Sequence, residues 1–144
     1  MMISSKGRYA LRVMLDMAKH GDGKRLSLND IALRQQLSKK YLECIMAALS
    51  RAGLVEGAVG KAGGYCLTRS PEDYSVGEIL RAVEGDLSLI SCRSEGQSGC
   101  GQSCDCDARP FWQGLEDHIN AYIDNHTLAQ FINKKTPAAS DGTA

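Results

Sequence analysis

Apolar positions near the start of the chain recur at helical spacing. Tyr9, Ala10, Val13, Met14 and Met17 form an i, i+3/i+4 stripe that predicts a helix from Ser5 to His20, ended by Gly21-Asp22-Gly23. Ser27 to Asp30 reads as a capping box opening a short helix, roughly Asn29 to Gln36, that buries Ile31, Ala32 and Leu37. Ser38 caps a third helix, Lys39 to Arg51, with Leu42, Ile45, Met46 and Leu49 on one face. The pattern then changes. Residues 53–59 and 65–69 flank the Gly-rich stretch 60–64, which predicts a β-hairpin. A second capping box, Ser75 to Glu78, starts a helix running to about Glu84 with Val76, Ile79, Leu80 and Val83 inward, and Gly85 closes it. Helical spacing returns after Pro110 at Phe111/Trp112, Leu115, His118/Ile119, Tyr122 and Ile123. Thr127 and Gln130 mark a last short helix ending near Ile132. Residues 134–144 show no apolar period and are expected to be a disordered tail.

Two short helices joined by a tight turn, followed directly by a hairpin, form the pattern of a winged helix-turn-helix. The expected fold is mainly α with a small β-hairpin wing. Residues 1–85 would form the DNA-binding domain, 86–107 a cysteine-rich loop, and 108–133 a long dimerisation helix with a short C-terminal helix. An apolar helix left over after a domain has closed its core commonly packs on its own copy, so a homodimer is expected.

Charge adds a partner. The net charge is zero, yet residues 1–70 carry twelve Lys/Arg against five Asp/Glu, and residues 71–144 carry five against twelve. A basic front half fits a duplex DNA partner. Lys39, Lys40, Tyr41 and Glu43 would face the major groove behind the Ser38 cap. There lysines meet phosphates or guanine edges, and a glutamate accepts from cytosine N4. Ser4, Ser5 and Lys6 would hold a backbone phosphate at the N-terminus of the first helix.

No apolar run approaches the ~18 residues of a membrane helix, and no secretion signal is evident, so a cytoplasmic protein without membrane contact is expected. In that compartment clustered thiols favour metal or redox chemistry over disulfides. Four of the six cysteines, Cys92, Cys100, Cys104 and Cys106, lie within fifteen positions rich in Gly, Ser and Gln. The spacing lacks a C-x-x-C pair and leaves zinc, an iron–sulfur cluster and a disulfide open. Cys44 and Cys66 read as small core residues. No Ser/His/Asp grouping or HExxH is present, and the three histidines are isolated, so an enzyme has little support.

Ser5-Lys6-Gly7-Arg8-Tyr9-Ala10, Leu37-Ser38, Tyr41-Leu42-Glu43, Gly53-Leu54-Val55, Gly63-Gly64-Tyr65, Val76-Gly77-Glu78-Ile79 and Val83-Glu84-Gly85 resemble the IscR/NsrR family of dimeric winged-helix transcriptional regulators. The resemblance covers residues 1 to about 133. It implies an operator-binding homodimer in which an iron–sulfur cluster is held by Cys92, Cys100 and Cys106, with 2Fe–2S favoured and 4Fe–4S the alternative. Family members supply a fourth ligand from a histidine three residues after the last cysteine, or from an acidic residue near the N-terminus of the partner subunit. This chain has Arg109 and Arg8 at those places, and a guanidinium stays protonated. Cys104 is the expected replacement, with Asp105 or Asp107 as oxygen-ligand alternatives. The family pattern also has an arginine before the first wing glycine, where this chain has Val59, leaving Lys61 for that contact. A nitric-oxide or redox responder on the same scaffold, or a zinc-stabilised DNA-binding module, is the alternative expectation.

Overall fold

The computed structural model describes residues 2–90 and 106–133. The elements are α1 (Ser5–His20), α2 (Leu28–Gln35), α3 (Lys39–Arg51), β1 (Val55–Ala58), β2 (Gly64–Leu67), a 3-10 turn (Pro71–Asp73), α4 (Val76–Glu84), α5 (Arg109–Asp124) and α6 (Leu128–Asn133). Serine side chains accept from backbone amides at four helix starts: Ser4 from Gly7, Ser27 from Asp30, Ser38 from Tyr41 and Ser75 from Glu78. Each hydroxyl satisfies an amide that the first helical turn leaves without a partner. Gln36 ends α2 in the left-handed region at φ 55°, which turns the chain sharply into α3.

The stripes predicted for α1 to α4 point inward. Val13, Met14, Met17, Ile31, Leu42, Ile45, Met46, Leu49, Leu54 and Ile79 are fully or almost fully buried in one core. Leu128 of α6 lies in the same core, and Thr127 is bridged to Ser75. The short C-terminal helix therefore packs against the winged helix in the fold, although it follows α5 in sequence.

β1 and β2 pair antiparallel with Val55 opposite Leu67 and Ala58 opposite Gly64. Leu26 extends the hairpin through paired bonds with Tyr65, each 2.8 Å. The carbonyl of Leu26 approaches Gly64 so closely that a Cβ there would collide with it, and Gly64 also has φ 128°. Glycine is required at that position on both counts. Tyr74, fully buried, fixes the base of the wing. Its hydroxyl donates to the carbonyl of Leu54 (2.8 Å) and accepts from the amides of Thr68 (2.8 Å) and Arg69 (2.9 Å).

α1 and α2 are joined through Asp16, whose side chain is buried. Arg34 donates to it from Nε (2.9 Å) and Nη2 (2.8 Å), and Gln35 Nε2 donates at 3.0 Å. Burial by itself would raise the Asp16 pKa. The hydrogen bonds from Arg34 and Gln35, with the charges of Arg34 and His20, outweigh burial and hold the carboxyl below its ordinary range. No helix among the described residues is long and apolar enough to cross a membrane.

Candidate nucleic-acid interface and thiol cluster

The apolar side of α3 locks the helix against the core, and this determines what its other side presents. Leu42, Ile45, Met46 and Leu49 are buried, while Lys39, Lys40, Glu43, Cys44 and Ala47 are exposed. Ser38 Oγ caps the helix by accepting from Tyr41 N at 3.2 Å. Tyr41 is half-buried, with its ring edge-on to Tyr9 at 5.9 Å and 90°. Ser38 and Tyr41 thus set the helix entry, and Lys39, Lys40 and Glu43 project from it. At the tip of the wing Val59, Gly60, Lys61 and Ala62 are all exposed.

Cys44 does not lie in the core as the sequence suggested. It precedes Ile45, and one residue is a ~100° rotation about the helix axis, which carries the thiol from the buried stripe onto the outward face. The signal was available in its spacing from Lys40 and Ala47, which share that face. Cys66 is half-buried on β2 and lines a cavity of about 370 Å³ with Met17, Leu26 and Tyr65.

At the N-terminus of α1, Ser5 is exposed and Lys6 half-buried. A carboxylate from within the chain already occupies this helix end. Glu84 Oε1 accepts from Ser4 N (2.8 Å), Ser4 Oγ (2.6 Å) and Gly7 N (3.1 Å). A Cβ on Gly7 would collide with that carboxylate, so glycine there admits the bond. The pair is 80 positions apart in sequence, and no local pattern announced it.

Of the four clustered thiols, Cys106 is within the described residues; Cys92, Cys100, Cys104 and the neighbouring Asp105 lie outside them. Cys106 and Asp107 are exposed in the turn before α5, and the Cys106 carbonyl accepts from Arg109 N at 3.1 Å. Arg109 opens the helix. Among the described residues no group of three or more His, Cys, Asp or Glu side chains is gathered for a metal ion. The histidine rings sit against carbonyls four residues earlier, His20 at Asp16 (3.0 Å), His118 at Gly114 (2.9 Å) and His126, just past α5, at Tyr122 (2.6 Å).

α5 is tied to α4 by Arg81, which donates to Asp124 Oδ1 (2.6 Å), Asp124 Oδ2 (3.1 Å) and Asn120 Oδ1 (2.9 Å). Its other faces remain open. Phe111 (65%), Trp112 (40%), Leu115 (40%) and Tyr122 (67%) are exposed, an apolar series at helical spacing without a cover in the described chain.

Comparison with known proteins agrees with this geometry. The family model Rrf2, described as an iron-dependent transcriptional regulator, matches residues 3–134. The HTH-type transcriptional regulator IscR of Pectobacterium carotovorum is 38% identical over 135 residues, covering 94% of this chain and 81% of the relative. IscR of Escherichia coli is 36% identical over 135 residues, covering 94% and 82%. Among solved structures, T. potens IscR superposes with a TM-score of 0.72 at 35% identity, covering 92% of this chain and 86% of that one. CymR, the global cysteine regulator of B. subtilis, gives 0.75 at 32% identity, covering 92% and 96%.

Proposed function

The chain belongs to the Rrf2 family of transcriptional regulators and is a DNA-binding regulator, not an enzyme; from that premise we propose a cytoplasmic homodimer whose operator binding depends on an iron–sulfur cluster. The observation that carries the proposal is the placing of four cysteines within fifteen sequence positions, the last of them, Cys106, leading into α5, on a scaffold similar to IscR. Cys92, Cys100 and Cys106 would hold the cluster, with Cys104 as fourth ligand because Arg109 has no lone pair to give. Thiolates are the donors such clusters take. A bound cluster supplies a group whose charge and integrity follow cellular redox conditions. The favoured type is 2Fe–2S, with 4Fe–4S equally able to accept four thiolates, and the target genes we favour are those of iron–sulfur cluster assembly.

The protein's own side chains connect this end of the molecule to the DNA-reading end. Cys106 leads into α5, Asp124 of α5 is held by Arg81 of α4, and Glu84 of α4 holds the start of α1. Tyr9 of α1 packs on Tyr41 in the first turn of α3. A change at the thiols that shifts α5 would act on the placement of α3, and in a dimer that placement sets which half-site spacing fits. Lys39, Lys40 and Lys61 would meet phosphates, Ser5 and Lys6 a flanking phosphate through their side chains, and Glu43 a base edge in the major groove.

Anaerobic purification tests the site. The protein should be brown, with iron and sulfide in equal amounts, and Cys104→Ala should lose or shorten the life of its visible absorption. An unchanged spectrum and lifetime in Cys104→Ala would remove that residue from the ligand set, and colourless protein containing zinc would contradict the cluster.

A further inference from the structure

Four arginines of the described chain are paired with carboxylates: Arg25 with Glu56, Arg34 with Asp16, Arg69 with Glu78 and Arg81 with Asp124. Each of these cations holds one part of the fold to another. Arg8 and Arg12 are different. Both are exposed on α1, and neither belongs to any ion pair among the described residues. Their hydrogen bonds go to neutral oxygens. Arg8 Nη2 donates to Ser5 Oγ at 3.1 Å. Arg12 donates from Nε to Gln35 Oε1 (3.1 Å) and from Nη2 to the Gln35 carbonyl (3.3 Å).

Arg12 is also fixed from a second side. Its guanidinium lies over the Tyr9 ring at 5.1 Å, and Tyr9 packs edge-on against Tyr41, the residue after Lys40. Gln35 is itself anchored, since its Nε2 donates to the buried Asp16. These contacts set the direction of the guanidinium and link it, through Tyr9, to Tyr41 in the first turn of α3. Neutral acceptors position a cation without cancelling its charge. Tyr41 shares the first turn of α3 with the exposed Lys39 and Lys40, which are also outside any ion pair among the described residues, so Arg12 adds its charge to theirs on this side of the domain.

We propose that Arg12 forms a second contact for the DNA backbone, gripping phosphate on the flank of the groove that receives α3. This rests on the proposed placement of α3 in the major groove. Gln35 is a positioning residue that lowers the ordering cost of the contact. Phosphates carry no base identity, so the contact contributes affinity on every sequence and leaves base preference to α3 and the wing.

The test measures binding of the full chain, across a salt series, to a duplex selected in vitro by the wild-type protein and to a scrambled duplex of the same composition. Arg12→Gln should lower the slope of log K against log[salt] by about 0.9 for each phosphate no longer neutralised, weaken both duplexes by the same factor, and leave the melting temperature unchanged. Arg12→Lys should keep most of the slope, because the charge remains. An unchanged slope in Arg12→Gln would overturn the proposal, and so would a weakening confined to the selected duplex. Lys40→Ala separates the backbone grip from the placement of α3. If Lys40→Ala has no effect while Arg12→Gln lowers the slope, the placement of α3 is faulted and the backbone contact stands.

Discussion

α4 and α5 are neighbouring amphipathic helices with opposite fates. α4 buries Val76, Ile79 and Leu80, and among its residues Glu84 and Arg81 reach out to bind α1 and α5. α5 buries Glu116, while Phe111, Trp112, Leu115 and Tyr122 stay exposed. Similar spacing in sequence thus yields one helix completed inside the chain and one that presents its apolar side outward. Amphipathic spacing identifies a helix without saying what will cover it. For α5 the proposed cover is a second copy, which would bury the apolar area these side chains still expose, at about 25 cal/mol per Å².

The largest effect is expected on that outward side. Replacing Trp112 and Leu115 together by Asp should turn a dimer into a monomer in sedimentation. Operator affinity should then fall by about a hundredfold or more, because two linked half-site contacts become independent. A double variant that keeps the dimer mass would show that another face joins the copies, and α5 would need a different partner.

The completed side of the comparison is tested through Asp16 and Arg34. Arg34→Ala leaves a buried carboxylate short of its main partner and should cost about 3 kcal/mol of stability in denaturant unfolding. The pH dependence has a definite sign. The Asp16 pKa is lowered in the fold, so its contribution is fully present above the unfolded carboxyl value of about 3.9 and is lost as pH falls through the lower folded value. The gap between wild type and Arg34→Ala should therefore be constant at neutral pH and narrow in acid. A gap that widened in acid would contradict the arrangement.

A smaller effect is expected at the wing base. Tyr74→Phe removes the hydroxyl shared by Leu54, Thr68 and Arg69 and should cost about 2 kcal/mol, read as a lower denaturation midpoint. A variant as stable as wild type would mean that the ring alone seats the hairpin.

Much of the fold was legible because its signals are local. Ser38 and Ser75 sit immediately before apolar stripes, and α1, α3 and α4 begin and end where those stripes and their flanking residues predict. The unannounced features depend on distant residues. Glu84 meets Ser4 and Gly7 only after the chain folds, and six-residue α6 is too short for its periodicity to show that Leu128 enters the core. On the outward face of α3, Lys39, Lys40 and Glu43 could be placed from helix phase, and Cys44 shows how one residue of phase separates core from surface. The orientation of Arg12 depends on Gln35 and Tyr9 together, which no spacing along the chain encodes.

The central claim, that operator binding depends on the cluster, is tested most directly by titrating one selected duplex with cluster-loaded and cluster-free protein at the same salt concentration. Different dissociation constants are expected for the two forms, with the difference abolished when Cys92, Cys100 and Cys106 are replaced by Ala. Identical binding by both forms, on the selected and the scrambled duplex alike, would contradict it.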